Sequence, residues 1–303
     1  GDVYKRQLLT CLIYLSVVPW SKFSNYWVYN TIIFSASVCG LNAIFEHYYL
    51  NLARVGMATN PIPYALYCSF VSLSSLALTK HYESRVIQGL CITGFLLSLW
   101  ALVLTDSRGV WVAYPIVMMF VIYRIFNALP LVKLGVTLIG LSAIYFSFKP
   151  MIDERIDRTV AEFSSISKGN HETSFGTRLD LWAFGVDVWK KKPIVGDGDV
   201  MLEEGIQKVP NRMAYRQPHL HNQYIDILAR YGSVGLFFMM VWLLYSIRLN
   251  KVQEVDSVIT QVLVMLVLIA GISDVPFHHT HVVYLFTLVV GLFSLNQMES
   301  GLS

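Results

Sequence analysis

Long apolar segments recur along the chain and constrain its fold more than any other feature. An α-helix needs about 20 predominantly apolar residues to cross the hydrocarbon core of a bilayer. Nine segments reach or approach that length, at roughly 8–20, 27–45, 61–78, 86–104, 110–123, 131–148, 232–247, 258–272 and 282–295. Because no soluble domain could bury so many helices that are apolar on every side, the sequence predicts an all-α, polytopic transmembrane protein.

The composition agrees with a lipid environment and argues against several functions. Hydrophobic residues make up 55% of the 303 residues and charged residues only 14%, whereas soluble domains have about 25% charged residues. The net charge of +3 is small and the basic residues are dispersed, so we expect no nucleic-acid partner. The four cysteines lie in apolar stretches without CxxC spacing, which indicates neither a disulfide framework nor a cysteine metal site. Residues 1–7 do not resemble a signal peptide, and we expect the natural N-terminus to lie further upstream.

One connection between the predicted spans is much longer than the others. It runs from about 149 to 231 and contains more than half of the chain's 23 Lys and Arg residues and of its 20 Asp and Glu residues. So many charges require water, and we expect this loop to be folded and mostly helical. The sequence therefore predicts N-terminal transmembrane helices in 1–148, a solvated loop in 149–231 and C-terminal transmembrane helices in 232–303.

The short loops predict the orientation of the chain in the membrane. With nine spans, one side carries Lys22, Lys80, Arg85, Arg124, Lys133, Arg248 and Lys251, and the other carries Lys5, Arg6, Arg54 and Arg108. Loops that stay in the cytoplasm are enriched in Lys and Arg. The first group is therefore predicted to be cytoplasmic, and the long loop faces outward.

Arginines in and near the loop are candidates for binding an anionic substrate. Thr177 followed by Asp180 resembles a capping box, which predicts a helix from Thr177 to Trp189 with Arg178 in its first turn. Exposed helix amides together with a guanidinium would make a good phosphate receptor. A solvated arginine that starts a helix is the alternative. Arg212 and Arg216 are further candidates for contact with phosphate or sugar, again with a solvated role as the alternative.

Histidines follow at the end of the loop. Residues 218–235 predict a helix that runs into the next span, with Gly232 and Gly235 at the membrane boundary, where small residues permit a bend or close helix approach. His221 would lie at the depth of a lipid-linked headgroup, where an imidazole can remove a proton from a hydroxyl. A histidine hydrogen-bonded to the backbone at the interface is the alternative. His278, His279 and His281 with Asp274 could be drawn as a metal site, but we expect interfacial loop residues and no metal.

Three groups of residues resemble the O-antigen ligase family. His221-Asn222, nine residues and then Gly232-Ser233-Val234-Gly235 resemble its signature, in which a His-Asn pair precedes a GxxG. Two further groups occur in the family's order: Asp106-Ser107-Arg108-Gly109, and Gly176-Thr177-Arg178-Leu179 through Lys192-Pro193-Ile194-Val195-Gly196-Asp197-Gly198. The resemblance covers roughly residues 90–295. Asp197 and Asp199 depart from it, because the family more often has apolar or small residues there.

The resemblance implies a membrane glycosyltransferase of the bacterial inner membrane, with its loop in the periplasm. It would transfer O-antigen from undecaprenyl diphosphate to a lipid A–core sugar, with inversion and with neither metal nor cofactor. Arg108 and Arg178 would bind the diphosphate, and His221 would act as general base. Asn222 would orient the imidazole or bind sugar.

Two alternatives are left open by the sequence. The nearer one is an O-antigen polymerase or a protein O-oligosaccharyltransferase, which share the same loop motif. The other is a transporter of lipid-linked sugars, in which charged residues inside the membrane would line a pathway. The predicted spans contain few ionisable residues, which favours the enzyme.

Overall fold

The computed structural model describes residues 25–56, 60–125, 149–249 and 254–300, with isolated positions between 135 and 146. Throughout these ranges the regular structure is helical, and the described residues form no strand. This confirms the predicted all-α fold. The predicted span at 8–20 and most of the one at 131–148 lie outside the described residues.

Ten helices of two turns or more can be followed in the described ranges, and two short 3₁₀ turns occur at Ala214–Arg216 and Pro276–His278. The helices are α1 (Asn25–Ile44, which continues as a π-helical turn at Phe45–Tyr49), α2 (Pro61–Leu78), α3 (Arg85–Leu104), α4 (Arg108–Ile125), α5 (Lys149–Ser167), α6 (Ser174–Lys191), α7 (Asp199–Ile206), α8 (Gln223–Leu249), α9 (Glu254–Ala270) and α10 (Thr280–Ser300).

Five of the described helices are long and apolar enough to cross a membrane. They are Asn25–Tyr49, Pro61–Leu78, Arg85–Leu104, Arg108–Ile125 and Gln223–Arg248. The apolar part of α10 is shorter, Thr280–Ser294, and α9 has 17 residues. The chain is therefore a polytopic membrane protein, while the count of nine spans and the orientation derived from it stay predictions.

The described residues divide into two compact units. The first unit comprises the described residues within 1–137, 244–269 and 279–303, and the second, which we call the loop unit, comprises those within 138–243 and 270–278. The predicted boundaries at 148 and 231 refer to membrane crossings rather than to packing, and they stay a prediction.

Small residues allow the helices of the first unit to approach closely. Gly40 of α1 lies against α3, where an added Cβ atom would come within 2.4 Å of the Leu97 Cβ. On α2, Ser69, Ser72 and Ser75 are fully buried. Membrane helices associate by such close contacts because lipid provides no hydrophobic driving force between them.

The loop unit has a hydrophobic core of its own. Its fully or nearly buried members come from α6, α7, the 3₁₀ turn at 214–216, the turn that precedes α8, and α8 itself: Leu181, Val188, Leu202, Ile206, Ala214, Leu220 and Ala229. The polar segment predicted from its charges is thus a packed structure that can hold side chains in fixed positions.

The predicted start of α6 at Thr177 is wrong. The helix begins at Ser174, and the Thr173 hydroxyl caps it by accepting a hydrogen bond of 3.0 Å from the Gly176 amide. Asp180 contacts His171 instead of a helix terminus, at 2.7 Å. Arg178 is therefore the fifth residue of the helix and does not lie in its first turn. The amides at the N-terminus of the helix are therefore not beside Arg178, and only its guanidinium remains as a candidate for binding phosphate.

Candidate active site

His221 lies in a tight turn between the 3₁₀ turn at 214–216 and α8. Its φ of 51° is in the left-handed region, which is uncommon for a residue with a side chain and costs about 1–3 kcal/mol. The neighbouring Leu220 fixes the turn: it is fully buried and occupies the space left by Gly185, where an added Cβ would lie 2.4 Å from Leu220 Cδ1. Trp182 Nε1 also donates a hydrogen bond of 3.3 Å to the His221 carbonyl. The core of the loop unit thus holds the imidazole in place.

Both nitrogens of the His221 imidazole have a partner. Nδ1 lies 3.1 Å from Asp274 Oδ1 and Nε2 lies 2.8 Å from Gln217 Oε1. The side chains of His221 and Asp274 are only 16% and 5% exposed. An ionised carboxylate can only accept a hydrogen bond, so Nδ1 donates to Asp274. The neutral imidazole then has its lone pair on Nε2, which in this tautomer would accept a hydrogen bond from the amide nitrogen of Gln217 after rotation of that amide, or from a hydroxyl. A carboxylate behind an imidazole fixes its orientation and stabilises the charge that appears when it takes up a proton.

Asn222 joins two segments that are distant in the sequence. Its side-chain oxygen accepts hydrogen bonds of 3.0 Å from the amides of Tyr224 and Ile225 and so caps α8. Its side-chain nitrogen donates to the Ile272 carbonyl at 2.9 Å. Asn222 therefore draws the segment that carries Asp274 against the start of α8. Both ends of its amide are occupied, and this favours orientation of the imidazole over direct contact with sugar.

A second interaction holds the same segment in place. The Gln223 amide donates to the Gly271 carbonyl at 2.8 Å, and the Phe277 amide donates to Gln223 Oε1 at 2.9 Å. Because Gln223 is buried, these bonds are shielded from water and fix residues 271–277 on α8.

The histidines considered separately in the sequence lie together. The His219 ring is 4.4 Å from the His221 ring and 4.8 Å from the His278 ring. One ligand atom each from His219, His221 and Asp274 lie within 4.8 Å of one another. Two imidazoles and a carboxylate are a ligand set that zinc accepts. These residues could therefore hold a divalent cation, and the metal-independent reaction stays a prediction.

Gly232 bends α8 at the predicted membrane boundary. Its backbone (φ 65°, ψ −166°) is not helical, and an added Cβ would lie 2.1 Å from the Ile194 carbonyl oxygen. The bend frees the amides of Ser233 and Val234 from helical partners. They donate instead to the carbonyls of Pro193 and Ile194, at 2.8 and 3.2 Å. The family-like turn at 193–198 is therefore packed against the glycine motif, and the two form one structural element. Gly235 lies one turn further along α8.

A buried arginine links this element to the histidine turn. Arg230 is 5% exposed, and its guanidinium donates to Asp226, Asp199 and the Pro218 carbonyl at 2.8, 2.9 and 2.9 Å. Asp226 also accepts from the Leu220 amide. Asp199, which departs from the family pattern, thus has a specific partner in this chain. The other departure, Asp197, pairs with Lys192 at 2.5 Å.

The predicted substrate-binding arginines lie in different parts of the molecule. Arg178 is half-buried on α6 and Arg216 is exposed, one residue before Gln217. Both belong to the loop unit, as does His221. Arg108 begins α4 in the first unit and is half-buried. The roles predicted for these residues stay predictions.

A buried carboxylate, an imidazole with one nitrogen directed away from it and a bent helix that continues into an apolar span define a class of protein. It is a multi-pass membrane protein in which a histidine of the long loop is paired with a buried carboxylate. Residues 93–240 match the protein-family model described as O-antigen ligase. This segment includes Arg108, Arg178, Arg216, His221, Asn222, Gly232 and Gly235, and the match confirms the resemblance seen in the sequence.

Two curated relatives agree with this assignment. The chain is 25% identical over 226 residues to an uncharacterized protein of Haemophilus influenzae, and the match covers 70% of this chain and 57% of the relative. It is 23% identical over 208 residues to a protein named O-antigen ligase from Escherichia coli, and this match covers 65% of this chain and 48% of the relative. The chain thus spans about half the length of the curated relatives it matches.

Proposed function

We propose that this protein is an O-antigen ligase of the bacterial inner membrane, which transfers O-antigen from undecaprenyl diphosphate to a sugar of lipid A–core. The observation that carries the proposal is the pairing of His221, which lies in the family-matched segment 93–240, with the buried Asp274. A glycosyltransferase that inverts its donor needs one base to deprotonate the acceptor hydroxyl, and this pair supplies one.

The proposed reaction uses His221 Nε2 as the base. The acceptor oxygen attacks the anomeric carbon, its proton passes to Nε2, and the bond from that carbon to the diphosphate breaks with inversion. Asp274 stabilises the imidazolium that forms. Gln217 Oε1, 2.8 Å from Nε2, lies where an acceptor hydroxyl would hydrogen-bond, so we expect the acceptor to displace it.

The leaving diphosphate gathers negative charge as the glycosidic bond breaks. We propose that Arg178 and Arg108 neutralise this charge, since a guanidinium binds phosphate oxygens with two parallel hydrogen bonds. A diphosphate leaves readily, so no general acid is required. The polymerase and oligosaccharyltransferase alternatives would use the same residues with a different acceptor.

Purified protein in lipid vesicles should transfer O-antigen from its undecaprenyl diphosphate carrier to lipid A–core without added metal. The product is measured by the shift of labelled lipid A–core to high molecular mass on a gel. EDTA should leave the rate unchanged, because the base acts on the hydroxyl directly. Inhibition by EDTA that a divalent ion reverses would instead assign His219, His221 and Asp274 to a catalytic metal. Absence of product with active donor and acceptor would contradict the ligase.

We also propose that the loop is periplasmic, on the basis of the distribution of basic residues. Single cysteines are introduced into a Cys-free variant at two exposed positions, as Lys168→Cys in the loop and Glu83→Cys before α3. An impermeant thiol reagent should label Lys168→Cys in intact spheroplasts and Glu83→Cys only after permeabilisation. The opposite pattern would reverse the orientation and exclude a periplasmic acceptor.

A further inference from the structure

Apolar side chains are exposed on one part of the loop unit. Ile194 and Val195, in the turn after α6, are both 67% exposed, and Val200 and Met201, in the first turn of α7, are 68% and 52% exposed. Single exposed apolar residues are ordinary, but adjacent ones on a segment that should face water mark a contact surface.

These four residues lie around the bend of α8. The Ile194 carbonyl accepts from the Val234 amide, and the Gly198 amide donates to the Arg230 carbonyl. The Tyr231 hydroxyl donates to Asp199, at 3.0 Å, next to Val200 and Met201. The turn and the start of α7 are therefore both attached to the stretch of α8 between Arg230 and Val234.

The exposed surface continues onto the apolar part of α8. Beyond the bend, the exposed large apolar side chains include Val234, Phe237, Phe238 and Val241, on a helix long and apolar enough to cross a membrane. Lipid covers such a face. Since the Val234 amide donates a hydrogen bond to the Ile194 carbonyl, the lipid-facing surface of the helix and the exposed surface of the loop unit are contiguous.

Polar residues at the border of this surface fit the headgroup layer. Lys190, Lys191 and Lys192 are exposed and immediately precede the apolar turn. Lysines on flexible stems place their charges among anionic headgroups while their neighbours enter the apolar layer. Tyr231, exposed at the bend, is a residue type enriched at membrane–water interfaces.

We propose that Ile194, Val195, Val200 and Met201 form a lipid anchor that enters the boundary between headgroups and acyl chains. The occupant of this surface is the bilayer in which α8 is embedded. Arg230 connects the anchor to the histidine turn, because its guanidinium contacts both Asp199 and the Pro218 carbonyl. Anchoring would therefore fix the height of His221 above the membrane. The proposal depends on the protein being in a membrane and not on which glycan it transfers.

Fluorescence quenching by labelled lipids tests the anchor. A polarity-sensitive fluorescent amino acid is placed at position 194 or 201 of the full chain, which is then reconstituted in vesicles of phosphatidylethanolamine and phosphatidylglycerol. Addition of a lipid with a spin label near the top of its acyl chain should remove most of the emission at both positions. A water-soluble quencher should have little effect there.

Position 170 provides the matched control. Asn170 is exposed and lies before α6, whereas the anchor residues lie after α6. The helix between Asn170 and the anchor is about 27 Å long. Emission from position 170 should respond to the water-soluble quencher and not to the spin-labelled lipid. Equal behaviour of positions 194 and 170 would overturn the proposal. Shielding of position 194 from both quenchers, with cross-linking between copies of the chain, would also overturn it by assigning the surface to a protein contact.

Discussion

Replacing Arg178 by alanine is expected to abolish glycan transfer or reduce it severely, while the protein still accumulates in the membrane. The half-buried guanidinium lies in the same compact unit as His221, and it would neutralise charge that grows only as the bond to the diphosphate breaks. Arg178→Lys should recover part of the activity, because an ammonium keeps the charge and loses the two-pronged hydrogen bonding. We expect the same series at Arg108. Transfer is measured on lipopolysaccharide gels, and membrane content by immunoblot.

Arg212 is the matched control for this experiment. Its side chain is 91% exposed and forms an ion pair with Glu172 at 3.7 Å. Such exposed ion pairs contribute little to the stability of a protein. Arg212→Ala should therefore transfer at the parental rate. Full activity of Arg178→Ala would show that Arg178 is an ordinary helix residue, and the diphosphate site would have to be sought elsewhere.

Local patterns in the sequence predicted much of the membrane fold. The predicted span at 61–78 has the same bounds as α2, because Asn60 and Pro61 together mark a helix start. The Asn60 side chain accepts a hydrogen bond from the Ile62 amide. Pro61 lacks an amide proton, and the first position of a helix does not require one. The start of α6 could not be predicted in this way. Thr173 caps that helix without the acidic residue of a capping box, so its signal was weaker than that of Thr177 and Asp180.

The active-site partners could not be predicted because they depend on tertiary contacts. Asp274 lies 53 residues after His221, and no spacing rule connects two segments that are separated by α8 and α9. The sequence could associate Asp274 only with nearby histidines. Likewise Asp199 looked like an unexplained departure, and its partner Arg230 is identified only when α7 packs beside α8. The bend at Gly232 could be predicted from the sequence. The Pro193 and Ile194 carbonyls that pack against this bend could not.

The Asp274 carboxylate should matter less than the imidazole it holds. Asp274→Asn preserves the shape and removes the charge that fixes the Nδ1 proton, so transfer should fall between that of the parent and that of a variant without His221. If Asp274→Asn and the parent transfer at the same rate, the pair is structural.

Removing the imidazole of His221 should cost about 10²–10⁴ in transfer rate, the usual contribution of a positioned general base. His221→Asn is a better test than His221→Ala, because asparagine tolerates the left-handed backbone that this position requires. His171→Ala is the control: His171 also pairs with a carboxylate, Asp180, but its side chain is 41% exposed and it lies outside the family motif. We expect near-parental transfer from that variant.

The product made by the His221→Asn strain also separates ligase from polymerase. A ligase without its base should leave long O-antigen on the lipid carrier and bare core on lipid A, because polymerisation continues and only the final transfer stops. A disabled polymerase would instead give core capped with a single repeat unit and no long chains. We expect the first pattern, since the His-Asn start running into Gly232 and Gly235 resembles ligases more than polymerases. Single-repeat capping would keep the family and replace the ligase by a polymerase, and unchanged lipopolysaccharide would contradict both.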